Sequence, residues 1–228
     1  MEQALNALMA GYEHIDLTHK LSPDMPVWPG HPPMCHDLCE SYETGAVSKF
    51  YAVSLGEHTG THLDAPVHFV AGGASIDQVP VTQLALRLAC LQFPERTAGA
   101  LISADDIASW EKQNGAIRAD DAVFFHFGWD RYFIEDRALF LAGWPGLSED
   151  AALYLAKGNV RMVGCDCLSI DSSRTEHFPA HRVLLGNGIL IGENFNNLGR
   201  LPAFSTLIGL PLPIANGSGA PIRAVALV

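Results

Sequence analysis

The stretch Lys49-Phe-Tyr-Ala-Val-Ser-Leu-Gly-Glu-His-Thr-Gly-Thr-His-Leu-Asp-Ala-Pro-Val-His68 begins as a strand and ends with three histidines and an aspartate crowded into eleven residues. Residues 49–55 alternate in the manner of a β-strand and run directly into Gly56-Glu57-His58. Beyond the loop around Gly72-Gly73 and Pro80, residues 84–93 alternate again, so two strands bracket a histidine-rich loop. Further along, Ser103 with Asp106 makes a capping-box start for a helix through Trp110 that ends near Gly115, and residues 122–127 read as a buried strand. Ser148 starts a second helix that Lys157 and Gly158 stop. Residues 160–165, 188–191, 207–214 and 222–228 supply further strand runs. At the other end, Leu5, Leu8, Met9 and Tyr12 fall at helical spacing, which predicts an amphipathic helix over residues 1–13. No repeat or linker interrupts the pattern. The expected architecture is one mixed α/β domain over residues 1–228, its sheet curled or closed on itself.

Composition narrows the function. The chain has 228 residues, 48% apolar and 17% charged, a globular rather than a disordered profile. Acidic residues outnumber basic ones by 25 to 14, and a net charge of −11 repels a phosphate backbone, so nucleic acid is not an expected partner. No run reaches the ~18 to 20 apolar residues of a membrane span, and Glu2 stands where a signal peptide would be basic. The expected address is the cytoplasm, with no membrane partner. Five cysteines do not describe a disulfide framework there. Cys35/Cys39 and Cys165/Cys167 lack a second pair at zinc-ribbon spacing and read as packing residues rather than metal ligands.

The histidine loop carries the chemistry. Imidazole and carboxylate together suit Zn²⁺, Mn²⁺ or Fe²⁺, whereas Mg²⁺ and Ca²⁺ prefer oxygen alone. His62 and Asp64 are two apart, so an extended chain sends both side chains to one face, ~6 to 7 Å apart at the backbone. His58 would lie ~13 Å from His62 in an extended chain, so the chain must turn between them for all three to share an ion. Gly60 permits the turn, and Thr59, Thr61 and Pro66 disfavour a helical His-x-x-x-His alternative. Three protein ligands leave positions open for water or substrate, as a catalytic site requires. His68, past a proline, is better placed as a proton carrier.

Two other segments bear on a site. His177-Phe-Pro-Ala-His181 precedes Glu193, which follows the apolar run Ile189–Ile191 and reads either as an exposed strand-end carboxylate or as a buried one wanting a cation or donor. Ser22-Pro-Asp-Met-Pro-Val-Trp28-Pro-Gly-His-Pro-Pro33 is stiffened by its prolines and holds Trp28 where a rigid loop can wall a pocket. No Gly-x-Ser-x-Gly elbow or cysteine-protease signature is present, and Gly186 to Gly192 has the wrong spacing for a nucleotide loop.

The string His58-x-Gly-Thr-His62-x-Asp64-x-Pro-x-His68 resembles the signature of the cyclase-type metal-dependent hydrolases, the family of bacterial kynurenine formamidase and isatin hydrolase. The likeness extends from Asp16-Leu-Thr-His and Pro26-Val-Trp-Pro-Gly30 through Phe127-Gly-Trp-Asp130 and Leu168-Ser-Ile-Asp171 to Pro221-Ile-Arg-Ala-Val225. It implies a swivelling β/β/α domain with a mixed, barrel-like sheet, and a divalent metal, Zn or Mn, as one or two ions per chain. It puts His58, His62 and Asp64 on a first metal, Asp64, His181 and Glu193 on a second, His68 as catalytic acid/base and Trp28 against the substrate. The implied reaction is cleavage of an amide bond in a small aromatic substrate, an N-formylkynurenine-like arylformamide, by metal-activated hydroxide. A cyclic, isatin-like amide, or lyase or cyclase chemistry on a carbonyl compound, is the alternative. A homodimer or larger homo-oligomer is the implied assembly.

Overall fold

Strands buried on both faces carry apolar residues at consecutive positions, odd and even ones feeding different cores. The strands in chain order are β1 (His14–Asp16), β2 (Cys35–Glu40), β3 (Phe50–Ser54), β4 (His62–Asp64), β5 (Ala85–Gln92), β6 (Leu101–Ile102), β7 (Ala122–His126), β8 (Gly146–Leu147), β9 (Met162–Cys165), β10 (Leu190–Glu193), β11 (Phe204–Pro211) and β12 (Gly219–Leu227). Interspersed are α1 (Ala104–Asn114), α2 (Tyr132–Glu135), α3 (Arg137–Ala142), α4 (Glu149–Lys157) and α5 (Pro179–Gly186). The structure is a computed structural model and describes residues 9–228. Of the helix expected over residues 1–13, residues 1–8 lie outside the described residues; Met9 and Ala10 are helical before the chain turns toward β1.

Strands β5, β7, β9 and β10 pair in parallel, and β4, β12 and β11 close the ring antiparallel to their neighbours. The result is a closed seven-stranded mixed barrel, as the resemblance implies. One edge of β12 is shared: Gly219 to Pro221 pair with β4, and Val225 to Leu227 pair with β1. Inside the barrel Leu86, Leu88 and Cys90 of β5 meet Phe124 of β7, Met162 of β9 and Phe195. The intervening residues Ala89, Leu91, Val123, Phe125, Val163 and Cys165 face outward into a second core with α1, α4 and α5. Parallel strands need crossovers, and α5 is the one from β9 to β10. The chain gives little periodic warning of this eight-residue helix, but Pro179 sits at its first turn, where a missing N–H costs nothing.

The strand expected over residues 49–55 forms as β3, and among the described residues it pairs only with β2, in a hairpin standing apart from the barrel. The reading of Cys35 and Cys39 needs correction. Every residue of β2 is exposed, so Cys35 and Cys39 are surface thiols and not packing residues. A two-stranded hairpin has no third layer to bury its side chains, which alternation alone does not reveal. Cys165 and Cys167 are packed as expected, and burial pushes both thiols up, which disfavours the thiolates that a soft metal needs. Among the described residues no helix is long and apolar enough to cross a membrane.

Candidate metal centre

The histidine loop turns where glycine permits it. Gly60 has φ +63°, and a Cβ there would lie 2.6 Å from Leu21 Cδ2. The turned loop, not the helical alternative, brings His58 back over β4. His62 and Asp64 then leave the same face of β4, whose register places His62 opposite Glu193 on β10 and Asp64 opposite Gly219 on β12. Glu193 is 5% exposed, which settles the two readings of that residue in favour of the buried one.

His181 arrives from α5, and the first turn of this helix is organised by Asp171. Its carboxylate accepts from the amides of Ala180 and His181 and lies 2.6 Å from His181 Nδ1. His181 Nε2 is thereby aimed inward, 3.4 Å from Asp64 Oδ2 and 3.3 Å from Glu193 Oε1. From the other side His62 Nε2 stands 3.3 Å from Asp64 Oδ1 and 3.5 Å from Glu193 Oε2. The Nδ1 of the same ring faces Gly60 O at 2.8 Å. His58 Nδ1 lies 2.7 Å from Asp64 Oδ1, and the His58 ring stacks on His68 at 4.0 Å between centroids.

The six residues selected from the sequence as ligands or acid/base therefore converge, with Asp64 in the middle. Ligand atoms of His62, Asp64 and Glu193 lie within 4.8 Å of one another, as do those of His58, Asp64 and His68. The grouping differs from the implied one in detail: Glu193 approaches His62 as well as His181, and the His58 and His62 rings stand edge to face at 5.3 Å.

The donors fit a divalent metal. Among the described residues, the two buried carboxylates Asp64 and Glu193 have only imidazoles and one backbone amide, that of Ile170, as partners. Among the described residues Asp64 Oδ2 is buried with no hydrogen bond, a costly state unless a cation meets it. Electrostatics say the same. Burial alone would raise the Asp64 carboxyl, but the adjacent His58 and the close imidazoles of His181 and His62 hold it well below the usual range. Burial opposes charge on His62 and His181 too, yet the carboxylates around them raise both pKa values, His181 well above the ordinary one. This is a pocket that stabilises positive charge, and its mixed nitrogen and oxygen donors suit zinc or manganese. His68 behaves differently: burial pulls its pKa down to about 4, which leaves a neutral imidazole beside the ligands.

A cavity of about 170 Å³ opens over these residues, walled by Trp28, Phe69, Phe178, Leu168 and Ser169, with His31 and Asn194 also lining it. Trp28 is held edge-on against Trp144 at 5.9 Å and tilted against Phe178 at 6.1 Å, so the proline-stiffened loop does place it in the wall. Phe178 reaches the cavity from a left-handed backbone, φ +51°, preceded by His177 at φ +66°. Such strain in consecutive non-glycine residues is characteristic of functional sites. Phe69, Phe178, Asp171 and Asn194 were not singled out by sequence reasoning; for Asp171 the signal was its place in Leu168-Ser-Ile-Asp171.

Comparison with known proteins shows the family and the fold. The Cyclase family model, described as "Putative cyclase", matches residues 15–172. The chain is 30% identical to an isatin hydrolase of Roseibium aggregatum over 95% of its own length and 92% of that protein. It is also 30% identical to a kynurenine formamidase of Geobacillus thermodenitrificans, covering 92% and 95% of the two chains. Among solved structures, an isatin hydrolase bound to the product analogue thioisatinate superposes with a TM-score of 0.93 at 30% identity, over 100% of this chain and 98% of that one.

Proposed function

Because the chain belongs to the cyclase family of metal-dependent hydrolases, we propose that it hydrolyses the amide bond of a small, uncharged aromatic compound, with an isatin-like cyclic amide as the preferred substrate. The supporting observation is the cavity itself: three aromatic walls stand over the metal donors, and among the described residues no lysine or arginine lines it. An N-formylkynurenine-like formamide carries an α-amino acid whose two charges would need partners on desolvation. A neutral aromatic lactam needs none. The arylformamide is the second reading, favoured by the similarity to kynurenine formamidase.

We assign His58, His62, Asp64, His181 and Glu193 to one or two divalent ions, zinc or manganese. Bound there, such an ion would supply Lewis-acid polarisation of the carbonyl and activation of water. The remaining roles fall to the chain. Trp28, Phe69 and Phe178 clamp the aromatic plane and exclude water from it. Neutral His68, at the cavity wall, accepts the proton released on attack and returns it to the leaving nitrogen.

Metal-free protein reconstituted separately with Zn²⁺ and Mn²⁺, each with a chelator-treated control, tests the reading. Metal-restored opening of isatin, faster than cleavage of N-formylkynurenine, is expected. The reverse preference would return the formamidase reading, and a product without ¹⁸O from labelled water would replace hydrolysis by lyase or cyclase chemistry.

We further place the protein as a cytoplasmic homodimer. All five cysteines are free, two of them on the surface, which suits a reducing compartment. The hairpin exposes Leu38, Phe50 and Val53, each more than half accessible, and leaves the body between the cavity loop at Trp28–His31 and the ligand His58. A second copy packed on it would cover this apolar surface and steady the cavity rim. Light scattering is expected to give twice the chain mass, reduced to one by Leu38→Asp with Val53→Asp.

A further inference from the structure

We propose that Glu57 and Ser218 form a positioning pair that fixes the tautomer of His58, so that His58 offers Nδ1 to the metal while His62 and His181 offer Nε2. The proposal rests on the reading of the cluster as a metal centre.

The argument is one of hydrogen-bond polarity. Glu57 Oε2 lies 2.9 Å from the backbone N and 2.6 Å from the Oγ of Ser218. A carboxylate only accepts, so both Ser218 groups donate to it, and the single hydroxyl hydrogen is used there. Ser218 Oγ also lies 2.9 Å from His58 Nε2. The hydroxyl has no hydrogen left for that contact, so the imidazole donates and Nε2 carries the proton. A neutral ring then has its lone pair on Nδ1, and Nδ1 is the atom that faces Asp64 Oδ1 at 2.7 Å. Two acceptors pointed at each other across that distance are arranged to share a cation.

The other histidines are set the opposite way. His62 Nδ1 faces Gly60 O, which can only accept, and His181 Nδ1 faces the Asp171 carboxylate. Both rings therefore hold their proton on Nδ1 and present Nε2. Orienting contacts of this kind commonly fix the ring and raise ligand basicity. The backbone is shaped for the His58 arrangement: Ser218 stands between two glycines, and a Cβ on Gly219 would lie 2.6 Å from His58 Cε1 and 2.7 Å from Leu63 O. A Cβ on Gly217 would lie 3.0 Å from Glu57 Oε1.

The test is nitrogen-resolved NMR on zinc-loaded protein labelled with ¹⁵N-histidine, with His58 identified by the signals missing from His58→Asn. The expected spectrum shows zinc on Nδ1 of His58, with a proton retained on Nε2, and zinc on Nε2 of His62 and His181. Ser218→Ala should weaken zinc binding ~10 to 100-fold against a competing chelator. Ser218→Thr should restore it. Glu57→Ala leaves Ser218 in place but frees its hydroxyl hydrogen to reverse the bond, so it too should weaken zinc and remove the Nε2 proton signal, which loss of packing alone would not do. Zinc on His58 Nε2, or zinc affinity and spectra unchanged in Ser218→Ala and Glu57→Ala, would overturn the proposal while leaving the metal reading intact. Absence of zinc binding by the parent protein would overturn both.

Discussion

The carboxylate of Asp171 holds His181 by ring and backbone together, 2.6 Å from Nδ1 and 3.1 Å from the main-chain nitrogen. It also accepts from the amide of Ala180, so one buried side chain caps α5 and aims its histidine. Helix position and ligand orientation are thus a single feature of the fold.

Asp171→Ala is expected to lose both. Two amides at the helix start are left unpaired, and His181 is free to turn its other nitrogen inward. Metal affinity should fall ~10 to 100-fold by chelator competition. Asp171→Asn, which keeps an acceptor oxygen, should fall less. Equal affinity in the alanine variant and the parent would separate Asp171 from the metal centre.

How much of this was legible beforehand differs by residue. His58, His62, Asp64 and His68 lie within one eleven-residue stretch, where spacing and residue type declare a ligand set, and the Gly60 turn that unites them followed from their separation. His181 and Glu193 are brought in by α5 and the β10–β4 register, long-range pairings that local pattern does not encode. Residues that orient the ligands were less visible still. Ser218 and Glu57 are ordinary in sequence and gain meaning only because β12 closes against β4. The hairpin was half seen: β3 has strand character, but alternation reports pairing and not which layer, if any, covers it.

His68→Asn should retain metal and lose turnover by ~10² to 10⁴-fold, the size of a general acid/base contribution. The pH profile provides a second check. Burial holds His68 near 4, so it is neutral above that value and kcat/KM should keep its base form down to about 4 before falling. Bound cations push the same way. An acid limb at the ordinary histidine value of about 6.5 would assign the titrating base to another group.

Asp64→Ala removes the carboxylate around which His58, His62 and His181 are arranged. Three imidazoles and Glu193 remain, without the anion that joins the two sides of the cluster. Elemental analysis after dialysis should find metal content well below that of the parent. Full metal content would relocate the centre away from Asp64.

His19 gives a stability prediction independent of the metal. It is 4% exposed, its Nε2 has no partner among the described residues, and its ring stacks on Phe133 at 3.9 Å. Burial lowers its pKa to about 4 against the opposing charge of Asp130. The unfolded chain takes up this proton near 6.5 and the folded chain only near 4, so stability falls as pH drops through that window and levels below it. The full difference is about 3 kcal/mol. His19→Phe keeps the stacked ring and removes the titration. In urea denaturation with chelator present, parent and variant should diverge between pH 7 and pH 4.5, the variant losing less stability. Parallel loss in both would mean that His19 is protonated in the folded protein at the lower pH.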